Sequence, residues 1–404
     1  MSGDLTWAPD GSLAHIGAPD WLVDPDLQAL MAAFEDAGQQ IHAVGGCVRD
    51  TALGRPVHDV DLSTDALPRV SEQIVAGLGQ GWKAVPTGID HGTITAVSPT
   101  GRPYEITTFR TDVETDGRHA TVAFSTQLSD DAMRRDFTIN AFYADRTGRV
   151  QDPVGGSADL QARRIRFIGT PEARIKEDYL RILRFFRFTA SHGAPGAGPD
   201  VEGLAACAAL AEGLERISRE RIGAEMTRLL AVTDPAPVVG TMEQSGVLWR
   251  ILPGAGVRTL SVLVHLEGTV QAQVPVADLA TRLASLGCDE VAERLRLSKA
   301  LARKIERVTD AAGSTMPPHE LGYRYGAADA LHCLLLRWAT LTAPVDQDAI
   351  DDATRGAGQN FPVAAADLMP QYQGRALGDR LQRLEQLWID SRFTLTKVEL
   401  VSHP

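Results

Sequence analysis

Val44–Asp65 reads VGGCVRDTALGRPVHDVDLSTD. An apolar lead-in from Ile41 predicts a short strand that ends at two glycines, Gly45 and Gly46, with a helix starting just after them. Glycines let backbone N–H groups approach an anion closely, and the start of a helix adds a favourable dipole. Arg49 lies in the predicted helix and supplies a planar guanidinium for phosphate oxygens. The stretch therefore begins like a phosphate-binding turn.

The second half of this stretch carries two aspartates two positions apart. Asp59 and Asp61 lie in a strand-like run, Val57–Leu62. Side chains at i and i+2 of a strand point to the same face, so the two carboxylates are predicted to project together. Carboxylates crowded on one face repel each other and suit a hard divalent ion such as Mg²⁺, with a phosphate completing its shell. A Gly-Gly turn or an Asp-x-Asp pair alone is commonly structural, but the combination indicates a metal–triphosphate site.

The combination resembles the nucleotidyltransferase head of the class II tRNA CCA-adding enzymes and bacterial poly(A) polymerases, in the polymerase β superfamily. The similarity is strong over about residues 41–231 and weak afterwards. Its motifs are Gly-Gly-x-Val-Arg-Asp at 45–50, Gly-Arg-Pro at 54–56, Asp-Val-Asp at 59–61, RRDFTINA at 134–141, Glu-Asp-x-x-Arg-x-x-Arg-x-x-Arg at 177–187, ISRERI at 217–222 and GRALG at 374–378.

The resemblance implies an α+β fold, with a small mixed-sheet polymerase β-like nucleotidyltransferase head followed by an all-α neck, body and tail. Three strand-like runs favour such a sheet, and Pro-Thr-Gly-Arg-Pro at 99–103 predicts a hairpin between the last two. These runs are Trp82–Pro86, Gly92–Val97 and Tyr104–Phe109. The predicted domains are a loose N-terminal tail (1–20), the catalytic head (21–156), a helical neck that recognises the nucleotide base (157–232), and a helical body and tail that bind tRNA (233–404).

Two further features of the head can each be interpreted in two ways. Glu105 is a third metal-site carboxylate if its strand neighbours that of the two aspartates, and otherwise a rim glutamate that pairs with Arg110. Asp112–His119 is polar and is predicted to be a loop. The resemblance implies that a flexible loop at this place positions the nucleotide, with Arg118 and His119 as its contacts.

The predicted neck includes Glu172–Ala190, whose pattern predicts a long amphipathic helix or a pair of helices. Asp178, Arg181 and Arg184 are spaced by three and are predicted to lie near one face. The resemblance implies that Asp178 and Arg181 select the base. Because an ionised Asp only accepts and an Arg only donates, this pair suits the amino donor and ring-nitrogen acceptor of C and A, and opposes G and U. From the pattern alone, the same residues also fit a salt-bridged surface helix.

The resemblance also assigns the remaining site residues. Asp59 and Asp61 are the expected metal ligands and, with Glu105, the catalytic carboxylates. In the RRDFTINA motif, Arg135 is expected to contact phosphate or sugar, and Asp136 to cap or pair. The expected nucleotide-binding residues are Gly45, Gly46, Arg49, Arg135, Asp136, Asp178, Arg181, Arg184 and Arg187.

The chain is acidic, with a formal net charge of −12. The segment 163–187 is nevertheless +5, from eight basic and three acidic residues, which leaves −17 for the remainder. A concentrated basic segment favours local capture of RNA or triphosphate. There is no apolar run of about 18–20 residues and no signal-peptide pattern, and the four cysteines lack metal-type spacing, so a cytoplasmic protein without a membrane partner is predicted.

The leading functional hypothesis is addition of C, C and A to the 3′ end of tRNA from CTP and ATP, with Mg²⁺ and without a nucleic-acid template. Poly(A) polymerase is the close rival, but Pro86–Thr93 resembles CCA-adding enzymes, whereas bacterial poly(A) polymerases tend to carry Gly-Arg-Arg-Phe there. Two weaker hypotheses are a nucleotidyltransferase that acts on a small molecule and a non-catalytic RNA-binding protein. The motifs leave open whether one enzyme adds all three nucleotides or only CC or A, and they predict no oligomeric state.

Overall fold

The chain forms two compact units. A computed structural model describes residues 5–79, 81–88, 92–115, 120–270 and 278–403. The first unit comprises Met1–Glu225 and Gln244–Arg250, and the second comprises Met226–Glu243 and Ile251–Pro404. The predicted boundary at residue 156 therefore does not separate compact units, because the head and most of the neck lie in the first unit. The predicted division into head, neck, body and tail stays a prediction.

The strands of the described residues all lie in the first unit. They are β1 (Thr6–Trp7), β2 (Leu13–His15), β3 (Ile41–Val44), β4 (Asp61–Thr64), β5 (Lys83–Gly88), β6 (Thr93–Val97), β7 (Pro103–Thr108), β8 (Arg110–Thr115), β9 (Ala120–Phe124), β10 (Tyr143–Ala144) and β11 (Val150–Gln151). Seven of them form a mixed sheet in the order β11-β10-β3-β4-β7-β6-β5, whereas β1 pairs with β2 and β8 pairs with β9.

The central strand β4 sets the geometry of the site. It runs antiparallel to β3 and parallel to β7, and Asp61 lies opposite Glu105 in the second pairing. The strands β6 and β7 form the predicted antiparallel hairpin, with Val97 opposite Pro103. Because the side chains of paired residues project to the same face, this register places Asp61 and Glu105 side by side.

Helices dominate the chain beyond residue 157, as the α+β prediction requires. They are α1 (Pro25–Asp36), α2 (Gly46–Ala52), α3 (Pro68–Gly77), α4 (Leu128–Met133), α5 (Ser157–Gln161), α6 (Pro171–Glu177), α7 (Leu180–His192), α8 (Val201–Ala209), α9 (Arg219–Leu230), α10 (Ala236–Gln244), α11 (Val247–Ile251), α12 (Arg258–Val270), α13 (Leu279–Ser285), α14 (Val291–Arg294), α15 (Lys299–Gly313), α16 (Pro318–Leu341), α17 (Gln347–Ala357), α18 (Ala365–Leu368), α19 (Gly374–Asp390) and α20 (Lys397–Ser402).

The N-terminal segment is not the loose tail that its composition predicts. The strands β1 and β2 form an antiparallel pair, and the side chains of Leu13 and Ile16 are buried. The Leu13 N–H donates to Ser157 Oγ at 2.9 Å. Two buried apolar side chains and this bond fix the segment to the rest of the first unit, and the short apolar spacing gave too weak a signal to predict it.

The predicted loop at 112–119 is partly wrong. Residues up to Thr115 belong to β8, which pairs antiparallel with β9. A polar composition did not prevent strand pairing, because backbone hydrogen bonds between two strands do not depend on the side chains. Arg118 and His119, the predicted contacts of this loop, lie outside the described residues.

Of the two structures predicted for Glu172–Ala190, one long helix or a pair of helices, the pair is confirmed, and the two helices meet at Asp178. This residue has φ −152° and ψ 105°, and it ends α6, whereas α7 begins at Leu180. The Asp178 carboxylate accepts a hydrogen bond from the Leu180 N–H at 3.1 Å. In α7 the apolar face, including Phe185 and Phe186, is buried, which explains its amphipathic pattern.

The second unit has its own core. Its largest cluster joins apolar residues of α12, α15, α16 and α17, among them Leu263, Val308, Leu335 and Ile350. A second cluster packs around Trp388 of α19. Among the described residues, no helix combines the length and the apolar character that crossing a bilayer requires.

Candidate active site

Three carboxylates lie at the start of β4 and along β7. The strand begins at Asp61, so the prediction that Asp59 shares it is wrong. The reason is that β3 ends at Val44, where the chain turns, so that among the described residues the pairing of β3 with β4 does not extend to positions before Asp61. Asp59 is still close enough to Asp61 to raise the pKa of its carboxyl group. Glu105 lies opposite Asp61 on β7, which meets the condition set for a third carboxylate.

The surroundings of Asp61 fit the chemistry of a divalent cation. Desolvation raises the pKa of Asp61 most, the Glu105 carboxylate raises it further, Arg135 opposes the increase, and Asp59 adds to it. The described residues contain no group of three or more His, Cys, Asp or Glu side chains already arranged to hold a metal ion. The like charges of Asp59 and Glu105 around Asp61 suit a hard divalent cation.

The glycine turn lies between β3 and α2. Gly45 has φ 74°, a left-handed conformation that disfavours other residues. A Cβ atom there would lie 3.3 Å from Arg135 Nη1 and 3.3 Å from the Asn140 carbonyl oxygen. At Gly46 the nearest neighbour of a Cβ would be Arg49 Nη2, at 3.8 Å. The structure therefore explains a glycine at position 45 by backbone geometry and crowding, and leaves room at position 46.

Arg135 is held from two sides. Its Nη2 donates to Asp131 Oδ2 at 3.1 Å and its Nε donates to Tyr143 Oη at 3.0 Å. The neighbouring Arg134 donates through Nε to Asp131 Oδ1 at 2.7 Å. Burial would lower the pKa of Arg135, but the Asp131 charge and the Tyr143 hydroxyl outweigh burial and raise it. The guanidinium therefore stays charged beside the glycine turn and the carboxylates.

Arg49 is also fixed by its neighbours. Its Nε and Nη2 donate to the two oxygens of Asp50 at 2.9 and 2.8 Å, and its Nη1 donates to Asn140 Oδ1 at 2.5 Å. Burial would raise the pKa of Asp50, but hydrogen bonds from His192 and Arg49 hold it at about 2. Arg49 is thus a charged, largely buried guanidinium next to the glycine turn.

Phe188 of α7 joins three of the predicted phosphate-binding arginines. The guanidinium carbons of Arg49, Arg184 and Arg187 lie 5.2, 5.3 and 4.4 Å from the centre of its ring. Such contacts between a cation and a ring are favourable. The sequence pattern indicated Phe188 only as an apolar position of the helix.

Two of these arginines pair with buried carboxylates. Arg184 donates to Asp136 through Nε and Nη2 at 2.7 and 2.5 Å, and Arg187 donates to Glu225 at 2.5 Å. Asp136 also accepts from the Asn140 Nδ2 group at 3.0 Å. Despite burial, the charge of Arg184 and these hydrogen bonds lower the pKa of Asp136. The structure therefore brings Arg49, Asp136, Arg184 and Arg187 together, with Asn140 as a shared partner of Arg49 and Asp136.

The predicted base-selecting pair does not lie on one helical face. Asp178 is at the break between α6 and α7, so its spacing to Arg181 is not a helical one. Its Oδ2 accepts from Arg221 Nη2 at 2.7 Å. Arg181 instead donates to Glu177 Oε2 at 2.5 Å and to the Arg134 carbonyl at 3.1 Å. The i, i+3 interpretation is therefore wrong in its geometry, and the base-selecting role stays a prediction.

The basic segment 163–187 is largely neutralised in the folded chain. Arg164 and Arg166 both pair with the fully buried Asp159, at 2.6 and 2.8 Å. Arg184 and Arg187 use carboxylates from outside the segment. A charge count along the sequence misses such partners, since they are distant in the chain. The formal charge of +5 therefore overstates the positive field of this region.

Several residues at the site were not predicted to matter. Asp131, Tyr143 and Phe188 contact the arginines and lie outside the quoted motifs, whereas Asn140 belongs to the RRDFTINA motif but was given no role. For Asp131 a signal existed, because Arg134 and Arg135 follow it at i+3 and i+4, the spacing of ion pairs on a helix. For the other three the contacts depend on how distant segments meet.

Two family models match separate segments of the chain, and two curated relatives match half of it or more. A model described as "Poly A polymerase head domain" matches residues 41–166, and one described as "Probable RNA and SrmB- binding site of polymerase A" matches residues 200–256. The chain is 31% identical over 403 residues to a protein of Homo sapiens named "CCA tRNA nucleotidyltransferase 1, mitochondrial", covering 93% of this chain and 89% of that protein. A "CCA-adding enzyme" of Streptococcus pyogenes is 41% identical over 203 residues, covering 50% of this chain and 48% of that protein.

Solved structures share the fold. The CCA-adding enzyme of Bacillus stearothermophilus in complex with CTP aligns with a TM-score of 0.73 and 26% identity, over 91% of this chain and 94% of that one. The Thermotoga maritima CCA-adding enzyme complexed with tRNA aligns with a TM-score of 0.70 and 18% identity, over 94% and 95%. The second likeness supports the fold alone.

Proposed function

Because this chain belongs to the CCA-adding tRNA nucleotidyltransferases, we propose that it adds C, C and A to the 3′ end of tRNA from CTP and ATP without a nucleic-acid template. The observation that carries the proposal is the placement of Asp61 and Glu105 side by side on β4 and β7, with Asp59 and Arg135 close to Asp61. Carboxylates beside a guanidinium suit a metal-bound triphosphate better than a neutral small molecule.

The proposed metal is Mg²⁺, held by Asp59 and Asp61, with Glu105 at the edge of the same site. When bound there, it would stabilise charge on the α-phosphate and on the pyrophosphate leaving group. The side chains and backbone around the glycine turn would orient the triphosphate. Arg49 and Arg135 flank the Gly45 turn, where the lack of a Cβ atom would let phosphate oxygens approach the backbone. Membership of the family supports use of a divalent metal, and its identity as Mg²⁺ is part of the proposal.

The proposed template for the base is the pair Asp178 and Arg181. In the folded chain Asp178 uses one lone pair on each oxygen, for the Leu180 N–H and for Arg221. A carboxylate oxygen accepts about two hydrogen bonds, so acceptor capacity remains for the amino group of C or A. Arg181 is fixed by Glu177 and the Arg134 carbonyl, which leaves its Nε–H as a candidate donor to the ring nitrogen.

The test is a single-nucleotide incorporation assay. A tRNA transcript that lacks CCA, and matched transcripts that end in C and in CC, are incubated with each NTP separately and with CTP plus ATP. We expect CTP to extend the first transcript by CC and the second by C, ATP to extend the third by A, and UTP and GTP to be used poorly. Extension of an unrelated RNA by many A residues would instead support a poly(A) polymerase. Addition of A alone, or of CC alone, would limit the proposal to a partial activity.

The proposal includes a cytoplasmic location. It rests on the sequence features of the chain, while the human relative carries "mitochondrial" in its name. Fractionation of the source cells with an antibody against the chain tests it. Enrichment in an organelle would overturn this part and leave the activity untouched.

A further inference from the structure

Asp131 is a fully buried carboxylate whose role is not explained by the metal site or by base selection. It lies in α4, and its side chain has no solvent exposure. Oδ1 accepts from Arg134 Nε at 2.7 Å, and Oδ2 accepts from Arg135 Nη2 at 3.1 Å, from Tyr143 Oη at 2.7 Å and from Ser63 Oγ at 3.1 Å. A carboxylate so deep in the protein needs partners of this kind, because an uncompensated buried charge is very costly.

The donors to Asp131 come from separate parts of the site. Ser63 lies in β4, two positions after Asp61, so it shares the face of that strand with the metal-site carboxylate. Tyr143 lies in β10, next to β3 and the glycine turn. Arg134 and Arg135 follow α4. The Asp131 carboxylate therefore connects three parts of the candidate site. These are β4 with Asp61, β10 beside β3 and the glycine turn, and the RRDFTINA motif with its two arginines.

Hydrogen bonds to Tyr143 and Asp131 hold the Arg135 guanidinium beside the glycine turn. Its Nε and Nη2 are occupied by Tyr143 and Asp131, whereas its Nη1 lies 3.3 Å from where a Cβ on Gly45 would be. Its charge also acts on Asp61. The bonds of Nε and Nη2 thus orient the guanidinium so that Nη1 points to the turn.

We propose that Asp131 is a positioning residue for nucleotidyl transfer, which fixes the guanidinium of Arg135 so that Nη1 binds the triphosphate at the Gly45 turn. The inference rests on the proposed function, because it takes the turn to be the triphosphate site. Asp131 itself touches neither nucleotide nor metal. Its negative charge and its hydrogen bonds with Arg135 and Tyr143 keep the flexible Arg135 side chain in one orientation. A fixed orientation lowers the entropy cost of binding the triphosphate.

Asp131→Asn tests this, with Asp130→Asn as the matched control. Asparagine keeps the shape and removes the charge. Asp130 precedes Asp131 in the same helix, but it accepts from Ser125 Oγ at 2.6 Å and has no arginine partner among the described residues. We expect KM for CTP and for ATP to rise about 10- to 100-fold in Asp131→Asn, with kcat changed much less, and both constants to stay unchanged in Asp130→Asn. A structural defect alone would lower the active fraction, and hence kcat, at unchanged KM, and that result would overturn the proposal.

A double-mutant cycle with Arg135→Gln shows whether Asp131 acts through Arg135. If it does, Asp131→Asn raises KM in the wild-type background and adds nothing in the Arg135→Gln background. Additive effects on KM would overturn the proposal.

Two milder variants cover the case in which Asp131→Asn does not fold. Tyr143→Phe removes a donor to Asp131 and the acceptor for Arg135 Nε, whereas Ser63→Ala removes only a donor to Asp131. We expect a several-fold increase in KM for Tyr143→Phe and a smaller one for Ser63→Ala, with melting temperatures recorded for both. Unchanged KM in the folded Tyr143→Phe variant would overturn the proposal.

Equilibrium binding of CTP without RNA separates this inference from the proposed function. If the wild-type protein binds no CTP, the proposed function fails. If the wild-type protein binds CTP and Asp131→Asn binds it equally well, only the positioning role fails.

Discussion

Asp61 and Asp131 are two carboxylates near the same arginine, and their pKa values shift in opposite directions. That of Asp61 is raised by desolvation and by the neighbouring Glu105 and Asp59, whereas that of Asp131 is held at about 2. For Asp131, burial would raise the pKa, but the charges of Arg135 and Arg134 and the Tyr143 hydrogen bond outweigh it. The first carboxylate has like charges as neighbours, and the second has protein cations.

This difference separates two uses of a charged side chain. Asp61 lies where a cation from outside the chain would relieve repulsion, which is typical of a ligand. Asp131 is already compensated by the protein, which is typical of a residue that holds others in place. The arginines follow the second pattern, since Arg49, Arg135, Arg184 and Arg187 each have a carboxylate partner. In the candidate site the arginines are therefore compensated by protein carboxylates, whereas Asp61 has carboxylates among its neighbours.

The largest expected effect comes from the carboxylates that are proposed to bind the metal. Asp59→Asn or Asp61→Asn should lower nucleotide incorporation by about 10³-fold or more, because loss of a metal ligand removes several kcal/mol of transition-state stabilisation. The affinity for tRNA should stay nearly unchanged. Incorporation assays and filter binding measure the two effects.

Asp65→Asn is the control for these variants. Asp65 follows the same strand and accepts from the Gln40 N–H at 2.8 Å, away from the proposed ligands. Substantial Mg²⁺-dependent incorporation by Asp61→Asn would show that Asp61 belongs with the compensated carboxylates and not with the ligands.

The second prediction concerns Asp178 and Arg181, which have protein partners and are still proposed to read the base. Asp178→Ala should weaken the rejection of UTP and GTP, and Arg181→Ala should lower the use of CTP and ATP together. Each unpaired group costs about 1–3 kcal/mol, so changes in relative kcat/KM of about 10- to 100-fold are expected. Measuring all four NTPs on one tRNA substrate gives the result.

An exposed ion pair without a role in base choice would give a different result. Asp178→Ala would then leave the preference for C and A intact, and any loss of rate would be equal for all four nucleotides. Arg221→Ala is a useful companion, since it removes the partner of Asp178 and keeps the acceptor.

The third prediction uses the low pKa of Asp131. A carboxyl group with a pKa of about 2 in the folded protein, against an ordinary value of 3.8, stabilises the fold fully above the unfolded pKa. That stability is lost as the pH falls through the folded pKa. We expect about 2 kcal/mol to be lost between about pH 4 and pH 2, at ~1.4 kcal/mol per pKa unit. Urea unfolding at a series of pH values measures it.

Asp131→Asn provides the comparison for this titration. Its stability should fall less steeply over the same range, because the other acidic groups titrate in both proteins. Parallel pH profiles for the two proteins would show that Asp131 is not the compensated carboxylate described here.

The smallest expected effect is at the glycine turn. Gly45→Ala should lower the free energy of unfolding by about 1–2 kcal/mol, because alanine disfavours the positive φ and its Cβ would crowd Arg135. Gly46→Ala should leave stability nearly unchanged, since position 46 is helical and has room. Thermal unfolding of both variants measures this. Equal losses at the two positions would contradict the geometric account of the turn.

The family motifs predicted the fold class, and the sequence by itself determined several local elements around the candidate site. Local patterns carry this information, since glycine pairs, alternating apolar residues and helical periodicity act within a few residues. The hairpin of β6 and β7 and the strand and helix start on either side of Gly45 follow from such patterns. The family motifs supplied the candidate carboxylates and arginines.

The tertiary structure alone decided which charges meet. The start of β4 at Asp61 depends on where β3 and β7 pair with it, and the break at Asp178 separates two residues whose spacing predicted one helical face. The partners of Arg184 and Arg187 are 48 and 38 positions away along the chain. Ion pairs and strand registers form between distant segments, and the pKa of a carboxyl group depends on the charges packed around it. The sequence therefore supplied candidate charged residues, and only the fold distinguished a carboxylate that faces other carboxylates, as Asp61 does, from those that pair with the arginines.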